Sequence, residues 1–137
     1  MKLSEQKPPN YTQILEHFDV KDKPVVFTFG DCIWNVPKDY KMPEHLLKHE
    51  FIHSKQQGDN PQEWWDKYIA DPDFRLEQEL EAYAVQYKFV KENFKRSHSD
   101  QFLDNIAHDL ASEVYGSMIG FNEGQTKIKR LAKLIHE

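Results

Sequence analysis

Three prolines fix where helices can begin in this chain. Pro43, Pro61 and Pro72 stand at the starts of "MPEHLLKHEFIHSKQQG", "NPQEWWDKYIA" and "DPDFRLEQELEAYAVQYKFVKENF". Proline lacks an N–H and its φ is held at about −65°, so a helix tolerates it in the first turn and hardly anywhere else. Each proline is accompanied by further start signals. Glu44 follows Pro43, Asn60 caps with Glu63 three residues on, and Asp71 caps ahead of Pro72. Gly58 is a stop signal for the first stretch. The spacing therefore predicts a helix over 43–57, a second beginning at Pro61, and a long third over 72–95.

The flanks complete an α+β reading, mostly helical with one small β-hairpin packed beside the 43–57 helix. Residues 1–9 read as a flexible lead-in ending in Lys7-Pro8-Pro9, and 10–137 as a single domain. "NYTQILEHF" reads as a short helix with Tyr11, Ile14, Leu15 and Phe18 on one side. "KPVVFTFGDCIWNVP" carries the strong β signal, with Gly30-Asp31 as a glycine-first hairpin turn. In that register Val25, Phe27 and Phe29 share an apolar face with Cys32, Trp34 and Val36, which is expected to cover the core. The other face, with Val26, Thr28, Ile33 and Asn35, is mixed. Two further helices are expected, from Asp100 to about Val114 and from about Asn122 to the end. "KRSHSD" between the third and fourth helices reads as a loop.

The net charge of −5 argues against a nucleic-acid or anionic-membrane binder, which needs a basic surface. Lys127, Lys129, Arg130 and Lys133 fit a solvated helix face. Cys32 is the one cysteine, so no internal disulfide forms and a reducing compartment is the simplest expectation. The first residues contain no apolar run, and no stretch of about 18 apolar residues is present. A cytoplasmic protein is expected; a phage or bacterial accessory protein has the same profile.

The chemistry concentrates in "HLLKHEFIHSKQQ". His45, His49 and His53 recur four apart, which places them on one helix face. Glu50 follows His49, whereas Leu46 follows His45, so only the 49/53 register carries a carboxylate beside the pair. This is HExxH: two imidazoles for one ion, with a general base next to it. With 7 histidines in the chain, the pattern arises by chance in roughly 3 of 100 such sequences. The competing reading is an amphipathic helix whose histidines pack or face water.

Catalytic zinc needs a third protein ligand. The HxxGxxH extension fails, because Gln56 occupies the glycine position and Gly58 is out of register. His98 and His108 are later candidates, His108 reading first as a helix-surface residue. "LEQELEAYAVQY" offers Glu77, Glu79 and Glu81. Glu79 shares a face with Ala82, Tyr83 and Gln86, where the small Ala82 lets the helix approach the motif closely; Glu77 and Glu81 fall on a face with Lys88.

"HEFIH" followed by "ELEAYA" resembles the gluzincin group of zinc metallopeptidases, in which a glutamate from a following helix, often in an E-x-x-A pattern, completes the site. Glu79-Leu80-Glu81-Ala82 matches that pattern, and "HSKQQ" resembles the HxxQQ continuation of some minimal members. The resemblance spans about residues 25–90, and the chain lacks the large second domain of thermolysin-like enzymes. It implies Zn2+ held by His49, His53 and Glu79, Glu50 as general base, and a peptide or protein substrate extended along a strand of the hairpin. Tyr115, which precedes Gly116 at a break between helices, is the first candidate for a catalytic oxyanion donor, with Tyr83 and His108 behind it. Trp64 and Trp65 are expected in the core, one of them half-exposed, and Cys32 in the hairpin core. A zinc-bearing accessory protein without peptidase activity, and a helical interaction module without metal, are the competing functions.

Overall fold

The computed structural model describes residues 1–112 and 119–135. Among them run β1 (Lys2–Leu3), α1 (Tyr11–His17), β2 (Phe27–Phe29), β3 (Cys32–Trp34), α2 (Glu44–Gln57), α3 (Pro61–Ala70), α4 (Pro72–Asn93), α5 (Arg96–Ala111) and α6 (Phe121–Lys133). The fold is mostly helical α+β, with a three-stranded mixed sheet in the order β1-β3-β2.

The helix starts follow the capping chemistry. Asn60 accepts a hydrogen bond from the Glu63 N–H at 3.1 Å, with Pro61 in the first turn. Asp71 accepts from the N–H groups of Asp73 and Phe74 while its own N–H closes α3 onto the Lys67 carbonyl. One residue thus ends α3 and starts α4, and the two helices meet without a loop. Pro43 sits just outside α2 as its cap rather than as its first helical residue. Gly58 ends α2 at φ 54°, in the left-handed region that glycine enters without steric cost. The fourth predicted helix begins earlier than expected. Lys95 is extended and α5 starts at Arg96, so "KRSHSD" forms its first turn rather than a loop.

The hairpin turn is Gly30-Asp31, with Gly30 at φ 67°, and the pairing is as expected: Phe27 opposite Trp34, Phe29 opposite Cys32. The expected assignment of faces is only half of what the sheet does. Phe27 packs into an apolar cluster with Ile14, Val20, Trp64, Trp65 and Tyr68. Yet Thr28 and Ile33, on the mixed face, are more deeply buried, because that face lies against α2. The Thr28 hydroxyl donates to the Glu50 carbonyl at 3.4 Å, and Ile33 packs with Val36, Met42, Leu46 and Leu47. Apolar clusters lie on both sides of the sheet, but Cys32, expected in the hairpin core, belongs to neither and is only half-buried. The lead-in contributes a strand that the residues did not announce. Lys2–Leu3 pairs in parallel with β3, and main-chain bonds from Ser4 and Gln6 extend the contact to Val36.

Helix α2 runs antiparallel along α4. His45 meets Gln86, His49 and His53 meet Glu79, and Gln56 meets Gln78 and Glu81. Ala82 and Ala84 on α4 are fully buried, leaving little bulk between the helices. Behind α4, Leu80, Tyr83 and Tyr87 build an apolar cluster with Leu103, Leu110 and Ile128 of α5 and α6. The end of α2 is fastened to the hairpin by side chains. Gln57 accepts from the Gly30 N–H and donates to the Thr28 carbonyl, both at 2.7 Å, and Ser54 donates to the Gly30 carbonyl at 2.9 Å.

A Gln57→Leu substitution keeps the volume and deletes both bonds. The Gly30 N–H is then left without its acceptor, so the variant should lose about 2 kcal/mol, read as a lower urea midpoint at unchanged slope. An unchanged midpoint would show that the clamp carries no stability.

Candidate metal centre

The buried residues of α2 are His49, Glu50, His53 and Gln57, all polar, while Phe51 is 50% exposed. A helix that buries its polar side chains and exposes a phenylalanine inverts ordinary amphipathicity, and each buried polar group costs free energy unless it is partnered. The partner comes from α4. Glu79, 3% exposed, places Oε1 3.1 Å from His53 Nε2 and 3.2 Å from His49 Nε2, and the two imidazole nitrogens are themselves 3.1 Å apart.

These distances form a triangle of three donor atoms. Ligands at the usual zinc–nitrogen distance of about 2.1 Å and a tetrahedral angle lie roughly 3.4 Å apart, so the triangle is close in size to a single tetrahedral ion's face. The donor chemistry fits as well. Gln56 Oε1 lies 2.8 Å from His53 Nδ1, which makes that nitrogen the N–H donor and directs the Nε2 lone pair into the triangle. The Tyr68 hydroxyl donates to Glu79 Oε2 at 2.6 Å, leaving Oε1 for the histidines. The Trp64 ring packs against His53 and the Tyr83 ring edge-on against His49.

Glu50 stands beside this triangle. Its Oε2 is buried, lies 3.9 Å from His49 Nε2, and has no hydrogen-bond partner among the described residues. His49, Glu50 and His53 together form a buried group able to hold a metal ion. Glu79 lies closer to both histidines than Glu50 lies to His49.

The electrostatics of the metal-free cluster follow from burial and proximity. Burial disfavours a charged His53, but the charge and hydrogen bond of Glu79, with Glu50 behind, outweigh it and lift His53 to about 9. Burial would raise Glu79, yet His53 and His49 hold it well below the usual carboxylate range. Glu50 has no such hydrogen bond; burial pushes it up against the opposing pull of the two histidines.

The other candidates separate cleanly. His45 accepts a bond from the Gln86 amide at 2.8 Å and packs on Phe102. Glu77 and Glu81 are exposed, and Glu81 accepts from Gln56. His98, exposed on α5, stacks on Phe94, and His108, also exposed, lies against Phe121. Tyr115 lies outside the described residues. Trp64 and Trp65 are both buried, so neither is half-exposed as expected. The hairpin strand expected to take a substrate is already occupied at one point. The Thr28 carbonyl of β2 accepts from both Trp65 Nε1 and Gln57 Nε2.

Two residues escaped the sequence reading. Gln56 stands three residues after His53, a helical neighbour spacing that could have suggested its role. Tyr68 shows no local link to Glu79, because the contact crosses the α3–α4 junction. A cavity of about 80 Å³ opens beside the cluster, lined by the four site residues and by apolar side chains from α1, residues 20–27 and α3. No helix among the described residues is long and apolar enough to cross a membrane. No protein-family model, curated protein or solved structure matches the chain.

In chelator, the His53 contribution has a definite sign. Its folded pKa of about 9 lies above the usual value of 6.5, so the stabilisation is fully present below about pH 6.5 and is lost as pH rises through about 9. The unfolding free energy of the metal-free chain should fall across that window by an amount on the order of 3 kcal/mol. His53→Gln should flatten the profile there; a wild-type profile that is already flat would refute the protonated His53–Glu79 pair.

Proposed function

We propose that this chain is a zinc-dependent metallopeptidase, with His49, His53 and Glu79 holding the ion and Glu50 acting as general base. The observation that carries the reading is the donor triangle with the unpartnered Glu50 oxygen beside it. A closed structural site has no use for a buried, unbonded carboxylate at that place, whereas hydrolysis requires one.

A zinc ion held there supplies Lewis acidity, bringing a water toward deprotonation at neutral pH and polarising the scissile carbonyl. The residues of the chain do the rest. Glu50 accepts the proton of the attacking water and passes it to the leaving amine nitrogen, so one carboxyl serves as base and then as acid. Its burial raises its proton affinity, which suits a group that must hold that proton between the two steps. Gln56 keeps His53 in the tautomer with its Nε2 lone pair inward, and Tyr68 keeps Glu79 turned toward the histidines. The surrounding aromatic rings exclude water and strengthen each of these polar contacts. A metal-holding protein of the same architecture without turnover is the alternative, and Glu50 discriminates between them.

Elemental analysis after dialysis should find about one zinc per chain, lost in His49→Ala. Glu50→Gln should keep that zinc and lower cleavage of a mixed peptide library at least about 100-fold. Wild-type cleavage that survives Glu50→Gln unchanged, or a wild-type chain that takes up no zinc, would overturn the reading.

A further inference from the structure

Away from the metal centre, the last turns of α4, the start of α5 and the end of α6 enclose a cleft of about 830 Å³. Five cationic side chains line it: Lys88, Lys91, Arg96, Lys129 and Lys133. Two carboxylates accompany them. Glu92 accepts from Lys88 at 2.8 Å, and Asp100 lies 3.9 Å from the Arg96 guanidinium. Lys91, Lys129 and Lys133 have no ion-pair partner among the described residues. Five positive against two negative side chains leave an excess of three positive charges here, on a chain whose net charge is −5.

Exposed lysines often form no more than a solvated face, but two features set this cleft apart. The first is the start of α5. Its cap, Lys95, offers no side-chain bond to the free N–H groups, and its first turn holds Arg96 and no acidic residue. The positive end of a helix ordinarily attracts carboxylates; here it faces further cations, which repel it and one another until an anion joins them. The second is Tyr87. It is 5% exposed, lines the cleft, and its hydroxyl has no hydrogen-bond partner among the described residues. Its charged neighbours are Asp100 and Arg96, so the phenol end points into the cleft, and burial with Asp100 raises its proton affinity. A nearly buried O–H donor without an acceptor, ringed by unpaired cations, is complementary to the oxygens of an anion. The volume sets the size of that anion. It falls within the range of about 300–1,000 Å³ occupied by small-molecule sites, far more than one phosphate ion fills.

We infer that this cleft binds a small molecule carrying two or more phosphate groups, either a soluble polyphosphate or the headgroup of a lipid, with Tyr87 donating to a phosphate oxygen and the cations of α4 and α6 pairing with the rest. The cleft shares no lining residue with the cavity beside His49, so it stands whether or not the chain is a peptidase.

Polyphosphates also take up zinc, so the full chain is freed of metal by dialysis before titration. Tripolyphosphate should bind saturably in calorimetry, at least about 10-fold more tightly than inorganic phosphate at equal ionic strength. Lys129→Gln with Lys133→Gln should weaken binding about 10-fold, whereas Lys127→Gln with Arg130→Gln, an equal charge change on α6 outside the cleft, should leave it unchanged. Tyr87→Phe should weaken it about 5-fold at unchanged melting temperature, because the hydroxyl bonds nothing in the free protein. Absence of saturable binding, equal losses in the two double variants, or unchanged affinity in Tyr87→Phe overturns the site. Tighter binding of an oligoglutamate peptide or a single-stranded oligonucleotide than of tripolyphosphate overturns the small phosphorylated ligand. Retention on vesicles containing a bisphosphorylated inositol lipid, lost with Lys129→Gln and Lys133→Gln, supports the site with a lipid source. Binding of tripolyphosphate and ATP without vesicle retention supports it with a soluble one.

Discussion

The structure hangs on one carboxylate lodged between two imidazoles. Glu79 reaches both His49 and His53 in a place where all three are almost wholly withdrawn from water. Without it, α2 would bury two histidines and a second glutamate against α4 with nothing in return, and burial of unpartnered polar groups costs several kcal/mol. The antiparallel α2–α4 contact is thus specified by chemistry rather than by apolar matching. The apolar burial that stabilises the fold lies elsewhere, behind α4 with α5 and α6 and across the sheet with α1 and α3. These clusters hold the helices at a separation that a polar seam alone could not maintain.

That division of labour explains what was legible in the residues. Helix starts were legible because capping and proline geometry act within four residues, and Asn60 and Asp71 cap as their positions demand. The histidine pair and Glu50 were legible because helical spacing is local. The face that Glu79 shares with Ala82, Tyr83 and Gln86 was legible from helical spacing, and it does turn toward α2, while the choice of Glu79 over Glu81 came from the E-x-x-A resemblance and not from spacing. Gly30 was legible because a two-residue hairpin requires a positive φ there.

What could not be read depends on distant partners. The mixed face of the hairpin looked like the outer one, because Thr28 and Asn35 are polar and nothing local says that α2 will cover Thr28. The strand at Lys2–Leu3 has only two residues and no alternation, and it exists because β3 presents an edge to it. The early start of α5 is set by the short junction at Phe94–Lys95, which the polar composition of "KRSHSD" concealed. Tyr68 and Gln57 bond across junctions of 11 and 27 residues, beyond any periodicity.

The stretch with the fewest chemical signals bears on the site as well, and the physics of a buried polar cluster shows why. Electrostatic contacts strengthen as water is excluded, and here the exclusion is completed by Ile14, Phe18, Val20 and Val25. The chain leading into their segment is tethered twice: β1 and the residues after it run along β3, and Gln13 on α1 bonds Asp66 and Gln62 of α3. The tethers are polar and exposed at α1, main-chain and continuous at the sheet. Any opening of the cavity toward solvent is therefore easier at α1 than at the sheet, because exposed side-chain bonds exchange with water at little cost while a main-chain ladder does not. The motif helix and α4 bring the buried polar groups together, and the N-terminal segment adds apolar wall beside them.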